Sequence, residues 1–529
     1  MPLQKISIFL LLCTLLFACQ DKPATHDTAI APVKFAEGYK VPEFDDAERK
    51  VKIAKASTII RETFKKYAQE ARFPAMAYGI VMDNDLILTG AMGFVNLKNS
   101  TPASSKSLFR IASMTKSFTA MAIVKLRDDG KLKLDDLASN YIPELANIKY
   151  LTEDAPGITV RNLLTMTAGF PEDNPWGDRQ LADTQPELLK FIEDGISFSN
   201  VPSKEFEYSN LGYALLGQII TNVSGMTYEH YISKNLLEPL GMSNTKWEYS
   251  EVDSTLLALG YRWEDDQWKE EPLLHDGTYG AMGGLITSVE DFSKYVMFHL
   301  SAWPPRNGND SGPVKRSSLR EMHKPWQFRG LEVNAKRQGH LCPTAGAYGY
   351  GLGWRRDCEG VERLSHSGGL PGFGSDYRFY PEYGFGIICF ANLTYASAGQ
   401  ANGLVMDTLF SLNSLSKREL PVSDTLQQRA TQVMALLKNW DKPLESKILA
   451  ENFYLDLSRD AWIKQSEAFL KSTGNILKVD VIVPENQLRG KFRIDGELKD
   501  AEIFFTLTPE ASPKIQQLDL IILEEKLKK

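Results

Sequence analysis

Phe109-Arg-Ile-Ala-Ser113-Met-Thr-Lys116 places a serine and a lysine three residues apart at the head of an apolar segment. Phe118, Ala120, Met121, Ile123, Val124 and Leu126 follow with helical spacing, which predicts a helix carrying Lys116 one turn beyond Ser113 on the same face. A serine hydroxyl is a poor nucleophile at its own pKa. A lysine amine buried beside it is weakened as an acid-holding group until it can take the hydroxyl proton, and the start of a helix favours negative charge on the oxygen. Chance alone yields about two Ser-x-x-Lys pairs in a chain this long, and Ser243…Lys246 and Ser414…Lys417 are also present. The pair therefore gains meaning from its company.

Two further stretches supply that company: Glu205-Phe-Glu-Tyr208-Ser209-Asn210-Leu-Gly-Tyr-Ala-Leu-Leu-Gly217 and Arg363-Leu-Ser-His366-Ser367-Gly368-Gly369-Leu-Pro-Gly-Phe-Gly374. Ser-x-x-Lys, Tyr-x-Asn and His-x-Gly in this order resemble the penicillin-recognising serine hydrolases, in the branch holding class C β-lactamases, D-aminopeptidases, DD-carboxypeptidase-like enzymes and several esterases. The resemblance covers roughly residues 44–412. It extends to Ile158-Thr-Val-Arg-Asn-Leu-Leu-Thr-Met-Thr-Ala-Gly-Phe170 and Ala281-Met-Gly-Gly-Leu-Ile-Thr-Ser-Val-Glu-Asp-Phe292.

The resemblance implies an α/β fold, an antiparallel sheet flanked by helices with an all-helical insert, and an active site in the groove between them. It implies that Ser113 attacks a carbonyl while Lys116 and Tyr208 carry its proton to the leaving group. Asn210 would hold Lys116 or a substrate amide. The backbone N–H groups of Ser113 and Gly369 would face the oxyanion, with Ser367 and Gly368 against the substrate. For Tyr208 to act as a base, flanking cations would have to depress a phenol pKa normally near 10; a core tyrosine is the alternative. The two glycines also suit a simple tight turn. His366 stands where β-lactamases and DD-peptidases usually carry Lys, and a mostly neutral imidazole anchors an anion less well. That departure favours esterase or peptidase chemistry. No class A deacylation motif is seen, so water activation would fall to Tyr208.

The 529 residues, 43 % hydrophobic, can bury a large core, and the formal charge of −7 without a basic run argues against nucleic-acid binding. The seven histidines form no His-x-His or His-Glu-x-x-His and the cysteines no Cys-x-x-Cys, so no metal or cofactor is expected. Residues 1–18 read as a signal peptide, too short in its apolar part to span a bilayer. Leu16-Phe-Ala-Cys19 resembles a bacterial lipobox, with Cys19 lipidated and 19–43 a polar tether; ordinary secretion is the alternative. Gln20, rather than Asp, favours the outer membrane. In that oxidising envelope Cys342 and Cys358 are expected to pair, while Cys389 lies in an apolar strand and reads as a core thiol.

Asp45 to about Gln69 reads as an amphipathic helix, followed by strands over 75–82 and 86–91 and later ones over 376–380 and 385–390. Residues 300–348, with Trp303-Pro-Pro-Arg-Asn-Gly, read as an elaborated loop region near the groove. After a 413–424 linker, residues 425–529 read as a small α+β domain weakly resembling cystatin- or NTF2-like folds: helices near 426–439 and 460–471, then the alternating run Leu477/Val479/Val481/Val483 and further strands. Its ligand is not indicated. The expectation is a lipid-anchored envelope hydrolase acting on an ester or amide of peptide or D-amino-acid type through an acyl-enzyme at Ser113. A DD-peptidase, a weak β-lactamase, or a penicillin-binding sensor without turnover are the alternatives.

Overall fold

The computed structural model describes Lys34 and residues 38–523, so the signal peptide, Cys19 and most of the tether lie outside the described residues. Helix α1 (Arg49–Glu70) starts four residues later than the sequence suggested, and buries Ile53, Ala56, Ile60, Phe64 and Ala68 at helical spacing. Strands β1 (Ala75–Met82) and β2 (Asp85–Asn96) follow, then the short β3 (Thr101–Pro102). Helix α2 (Lys116–Asp128) is buried almost throughout. Helix α3 (Asn210–Ser224) lies in the helical insert, and α4 (Val289–Ser301) returns the chain to the sheet.

The region expected as loop is structured instead. After a short helix over Arg316–Met322, strands β4 (Gln327–Glu332) and β5 (Thr344–Tyr348) join the sheet, and Cys342–Cys358 is a disulfide beside them. Strands β6 (Gly353–Arg356), β7 (Glu362–Leu370), β8 (Phe373–Tyr380) and β9 (Phe385–Ala391) complete one sheet of order β3-β2-β1-β9-β8-β7-β6-β5-β4. Its pairings are antiparallel. The loop reading missed this because the strand residues Phe328 and Leu331 are exposed and glycines interrupt the alternation that marks a half-buried strand.

Strand β1 shows how the sheet divides two cores. Ala75, Ala77 and Val81 face the core shared with α2, α3 and α4, whereas Met76, Tyr78, Ile80 and Met82 face α1 and helix α5 (Ala398–Ser411). The two-residue period of a strand enforces that division. Cys389 of β9 lies in the second core as a free, buried thiol.

Residues beyond 423 form helices α6 (Asp424–Lys438), α7 (Lys442–Ile448) and α8 (Arg459–Thr473), and strands β10 (Ile476–Val479), β11 (Val483–Asn486), β12 (Arg489–Gly496), β13 (Ala501–Leu507) and β14 (Ile515–Ile522). They make a separate sheet in which β10 and β11 both pair with β12, around a core of their own that includes Leu436, Phe469, Ile494 and Phe505. The alternating run Leu477/Val479/Val481/Val483 falls across β10 and β11 and lies on the surface: Leu477 and Val481 are 68 % and 72 % exposed. Among the described residues no helix is long and apolar enough to cross a membrane.

Candidate active site

Ser113 sits on a single 3-10 turn, Ala112–Thr115, that runs into α2. Ala112 carries φ 50°, a left-handed conformation that L residues seldom adopt. Ile111 and Ala112 are pinned from the sheet: Ser375 Oγ donates to the Ile111 carbonyl at 2.7 Å. Gly368 lies so close that a Cβ there would fall 2.3 Å from that carbonyl and 2.9 Å from Ala112 Cβ. Here glycine is a steric requirement of β7 against the nucleophile turn. Gly368→Ala is expected to move the turn and cut the rate of Ser113 labelling at least about a hundredfold. Circular-dichroism melting of the same protein checks that the fold persists.

Lys116 is wholly buried, and its Nζ donates to Ser113 Oγ at 3.1 Å, to Asn210 Oδ1 at 2.6 Å and to the Met282 carbonyl at 3.0 Å. These three acceptors come from the Ser-x-x-Lys turn, the start of α3 and the Ala281-Met-Gly-Gly turn, so segments far apart in sequence converge on one amine. Burial pulls the amine down to about 7, against the opposing influence of Asp178 and Asp173. It is thereby poised to accept a proton near neutral pH.

Asn210 is the first residue of α3, and that helix start is held firmly. Ser209 Oγ accepts from the Gly212 N–H at 3.1 Å, and the Asp173 carboxylate accepts from the Asn210 and Leu211 N–H groups at 2.6 and 2.9 Å. The Asn210 amide then donates to Asn174 Oδ1 at 3.2 Å and to Asp178 Oδ1 at 3.3 Å, which aims its carbonyl oxygen at Lys116. Burial raises the Asp178 carboxyl to about 6 despite Lys116 beside it. Asp173, Asn174 and Asp178 were not singled out from sequence; they carry no recognisable spacing, only a polar Asp-Asn-Pro turn beside an apolar segment.

Tyr208 corrects the sequence expectation. Lys116 Nζ lies 4.9 Å from its ring centre, and Ser113 is near enough to its hydroxyl to act on its pKa. Burial nevertheless pushes the phenol well above its ordinary value, and the opposing influence of Ser113 does not offset it. Tyr208 is thus held as a neutral phenol, suited to donating a proton rather than acting as a phenolate base, chiefly because it is buried, with Tyr348, Asp178 and Asp173 adding to the effect.

His366 is engaged at both ring nitrogens, with Nδ1 donating to the Ser367 carbonyl at 2.6 Å and Nε2 accepting from the Tyr348 hydroxyl at 3.1 Å. Burial and the proximity of Lys116 pull it down to about 3. It is a neutral, fixed ring, 6.3 Å from that of Tyr208 between centroids. Strand β6 pairs with β7 only as far as Gly353 opposite Ser365, so residues 366–370 extend beyond it toward the nucleophile. A groove of about 1150 Å³ brings Ser113, Tyr208, His366, Ser367, Gly368 and Gly369 onto one surface. Every sequence-predicted residue of the reaction centre lies on that groove or, for Lys116 and Asn210, directly beneath it.

The family model described as Beta-lactamase matches residues 60–410, about two-thirds of the chain and all of this geometry. The chain belongs to the Beta-lactamase family. Among curated relatives, Protein flp of Staphylococcus aureus is 30 % identical over 334 residues, 61 % of this chain and 61 % of that protein. Beta-lactamase-like protein 2 of Dictyostelium discoideum is 30 % identical over 312 residues, 57 % of this chain and 53 % of that protein. The chain thus spans about three-fifths of the length of the first of these relatives. Among solved structures, the octameric penicillin-binding protein homologue from Pyrococcus abyssi has a TM-score of 0.54 at 24 % identity, covering 89 % of this chain and 98 % of that one. The penicillin binding protein from Bacillus halodurans has a TM-score of 0.52 at 22 % identity, covering 66 % and 98 %. These two likenesses concern the fold.

Proposed function

We propose that the protein is a serine hydrolase that forms an acyl-enzyme at Ser113 and cleaves an ester or amide in the bacterial envelope. The observation that carries this reading is the buried amine of Lys116, poised near neutrality 3.1 Å from Ser113 Oγ. Ser113 Oγ bonds to the carbonyl carbon as its proton passes to Lys116 Nζ, and the carbonyl electron pair moves onto oxygen facing the Ser113 and Gly369 N–H groups. As the tetrahedral species collapses, Tyr208 donates its phenol proton to the leaving alcohol or amine and is reprotonated from Lys116. Water then takes the place of that leaving group, and the same proton path runs in reverse.

The neutral His366 favours substrates without an anion beside the reacting carbonyl, hence ester or amide cleavage ahead of strong β-lactam turnover. On the same reading Cys19 anchors the chain to a membrane through lipid, the outer one being favoured, with residues 20–43 as tether. The C-terminal segment beyond 424 binds a further ligand or packs on the hydrolase.

Intact mass of protein lacking residues 1–19, after exposure to a fluorophosphonate and separately to a penicillin, tests the reading. A fluorophosphonate adduct on the parent protein that is absent in Ser113→Ala is the expected result. No Ser113-dependent adduct would overturn the hydrolase assignment, and a penicillin adduct that persists for hours would point to a sensor.

A further inference from the structure

The groove at Ser113 continues along β7 past Ser365 to Arg363. Strand alternation puts Arg363, Ser365 and Ser367 on the face opposite Leu364 and His366. Register fixes their neighbours: Arg363 lies opposite Arg355, and Ser365 lies between Gly353 on β6 and Arg378 on β8. Arg355 in turn lies opposite Gly346, itself opposite Gly330. The floor here is nearly bare backbone. A Cβ at Gly330 would meet nothing within 4 Å, and one at Gly346 or Gly353 nothing nearer than 3.7 or 3.4 Å.

Charge in this trough is not balanced. Arg355 is paired with Glu332 at 2.7 Å and Arg378 with Asp376 at 2.9 Å. Arg363 has no ion pair among the described residues, and its Nε is buried without a hydrogen-bond partner. Desolvating part of a guanidinium with no anion beside it carries a cost, and the glycine-floored trough next to it leaves room for one. Arg329, which also lacks an ion pair among the described residues, stands over the Phe206 ring at 4.4 Å and continues the cationic wall toward Tyr208.

We propose that Arg363, flanked by Arg355 and Arg378, binds a carboxylate at the far end of an extended ester or amide substrate whose reacting carbonyl lies at Ser113. The inference rests on the hydrolase reading for the position of the carbonyl. Six strand residues separate Arg363 from Gly369, about 20 Å along β7, which puts the anion on the order of 15–20 Å from the attacked carbon. The cation that His366 does not supply beside the reacting bond is placed at a distance, selecting for a long substrate with a remote charge.

The test uses p-nitrophenyl monoesters of linear dicarboxylic acids, from four-carbon to fourteen-carbon chains, each beside its methyl-capped partner. The quantity read is the ratio of kcat/KM for the free carboxylate over the capped ester on one protein preparation, so that partial misfolding of a variant cancels. For the twelve-carbon pair the ratio is expected to be about tenfold or more, and near one for the four-carbon pair. Arg363→Gln is expected to bring the long-chain ratio down to near one, and Arg363→Lys to restore part of it. A long-chain ratio near one in the parent protein, or one that Arg363→Gln leaves unchanged, overturns the proposal. If the parent protein cleaves none of the esters, the hydrolase reading is what fails. Calorimetric titration with dodecanedioate then decides the anion site alone: binding weakened about tenfold by Arg363→Gln upholds it, and equal or absent binding in both proteins overturns it.

Discussion

Replacing Lys116 with methionine is expected to slow acylation of Ser113 by about 10²–10⁴-fold, the range by which a positioned general base contributes. The amine is the one group hydrogen-bonded to Ser113 Oγ whose pKa burial places near 7. Its activity as a base requires the neutral form, so kcat/KM for an ester, or the rate of fluorophosphonate labelling, should rise about tenfold per pH unit below 7 and level off above it. Tyr208 cannot produce that inflection, since its phenol is held well above its ordinary value. Lys116→Arg separates the two roles a lysine can play. A guanidinium keeps the cation but accepts no proton at these pH values, so the arginine variant should be as slow as the methionine one. Labelling rates across pH 5–9 decide between them: a flat profile in the parent protein, or substantial activity in Lys116→Arg, would mean that Lys116 acts by charge and not as the base.

The second large effect concerns acid stability. His299 and His323 face each other in the core between α4 and the sheet, with His323 Nε2 to His299 Nδ1 at 2.8 Å and Trp303 Nε1 donating to His323 Nδ1 at 2.9 Å. That chain leaves His323 Nε2 as the donor and both rings neutral. Burial pulls His299 down to about 3 and His323 well below its ordinary value, and His366 is likewise held at about 3. The rings that titrate near 6.5 in the unfolded chain bind protons there and not in the folded state. The stability they support is therefore complete above pH 6.5 and is lost as pH falls toward 3, at about 1.4 kcal/mol per unit for each histidine. Three such groups together lose about 4 kcal/mol per unit, enough to unfold a domain of ordinary stability within two or three units. Urea midpoints at pH 7, 6, 5 and 4.5 should fall steeply. His299→Leu should flatten that slope by about one-third, whatever it does to stability at pH 7. A slope identical in the variant would show that His299 is not among the groups that drive acid unfolding.

Much of the reaction centre was legible because its chemistry is written in short-range spacing. Ser113 and Lys116 need only one helical turn to meet, and Tyr208 and Asn210 need only the start of one helix. What the spacing could not convey was how strongly each group is desolvated. The same burial that brings Lys116 down to about 7 pushes Tyr208 up, so the residue expected as a base is a donor. Asp173, Asn174 and Asp178 orient Asn210 from a turn some 30 residues away in sequence, and no local pattern marks such partners. Strands β4 to β6 were missed for a related reason: their glycines and exposed apolar residues lack the alternation of a half-buried strand, and only pairing to one another, and of β6 to β7, makes them strands.

The amino-acid sequence by itself determined the nucleophile turn and a buried helix behind it, because both depend on periodicity and neighbours within a turn or two, and the order of three motifs whose resemblance to a known family implied the fold class. The tertiary structure alone decided which protons are held where, why residue 368 must lack a side chain, and that an unpaired Arg363 lines a glycine-floored trough leading away from Ser113. Those properties depend on burial and on contacts between distant segments, and desolvation is a property of the packed molecule that no stretch of sequence carries alone.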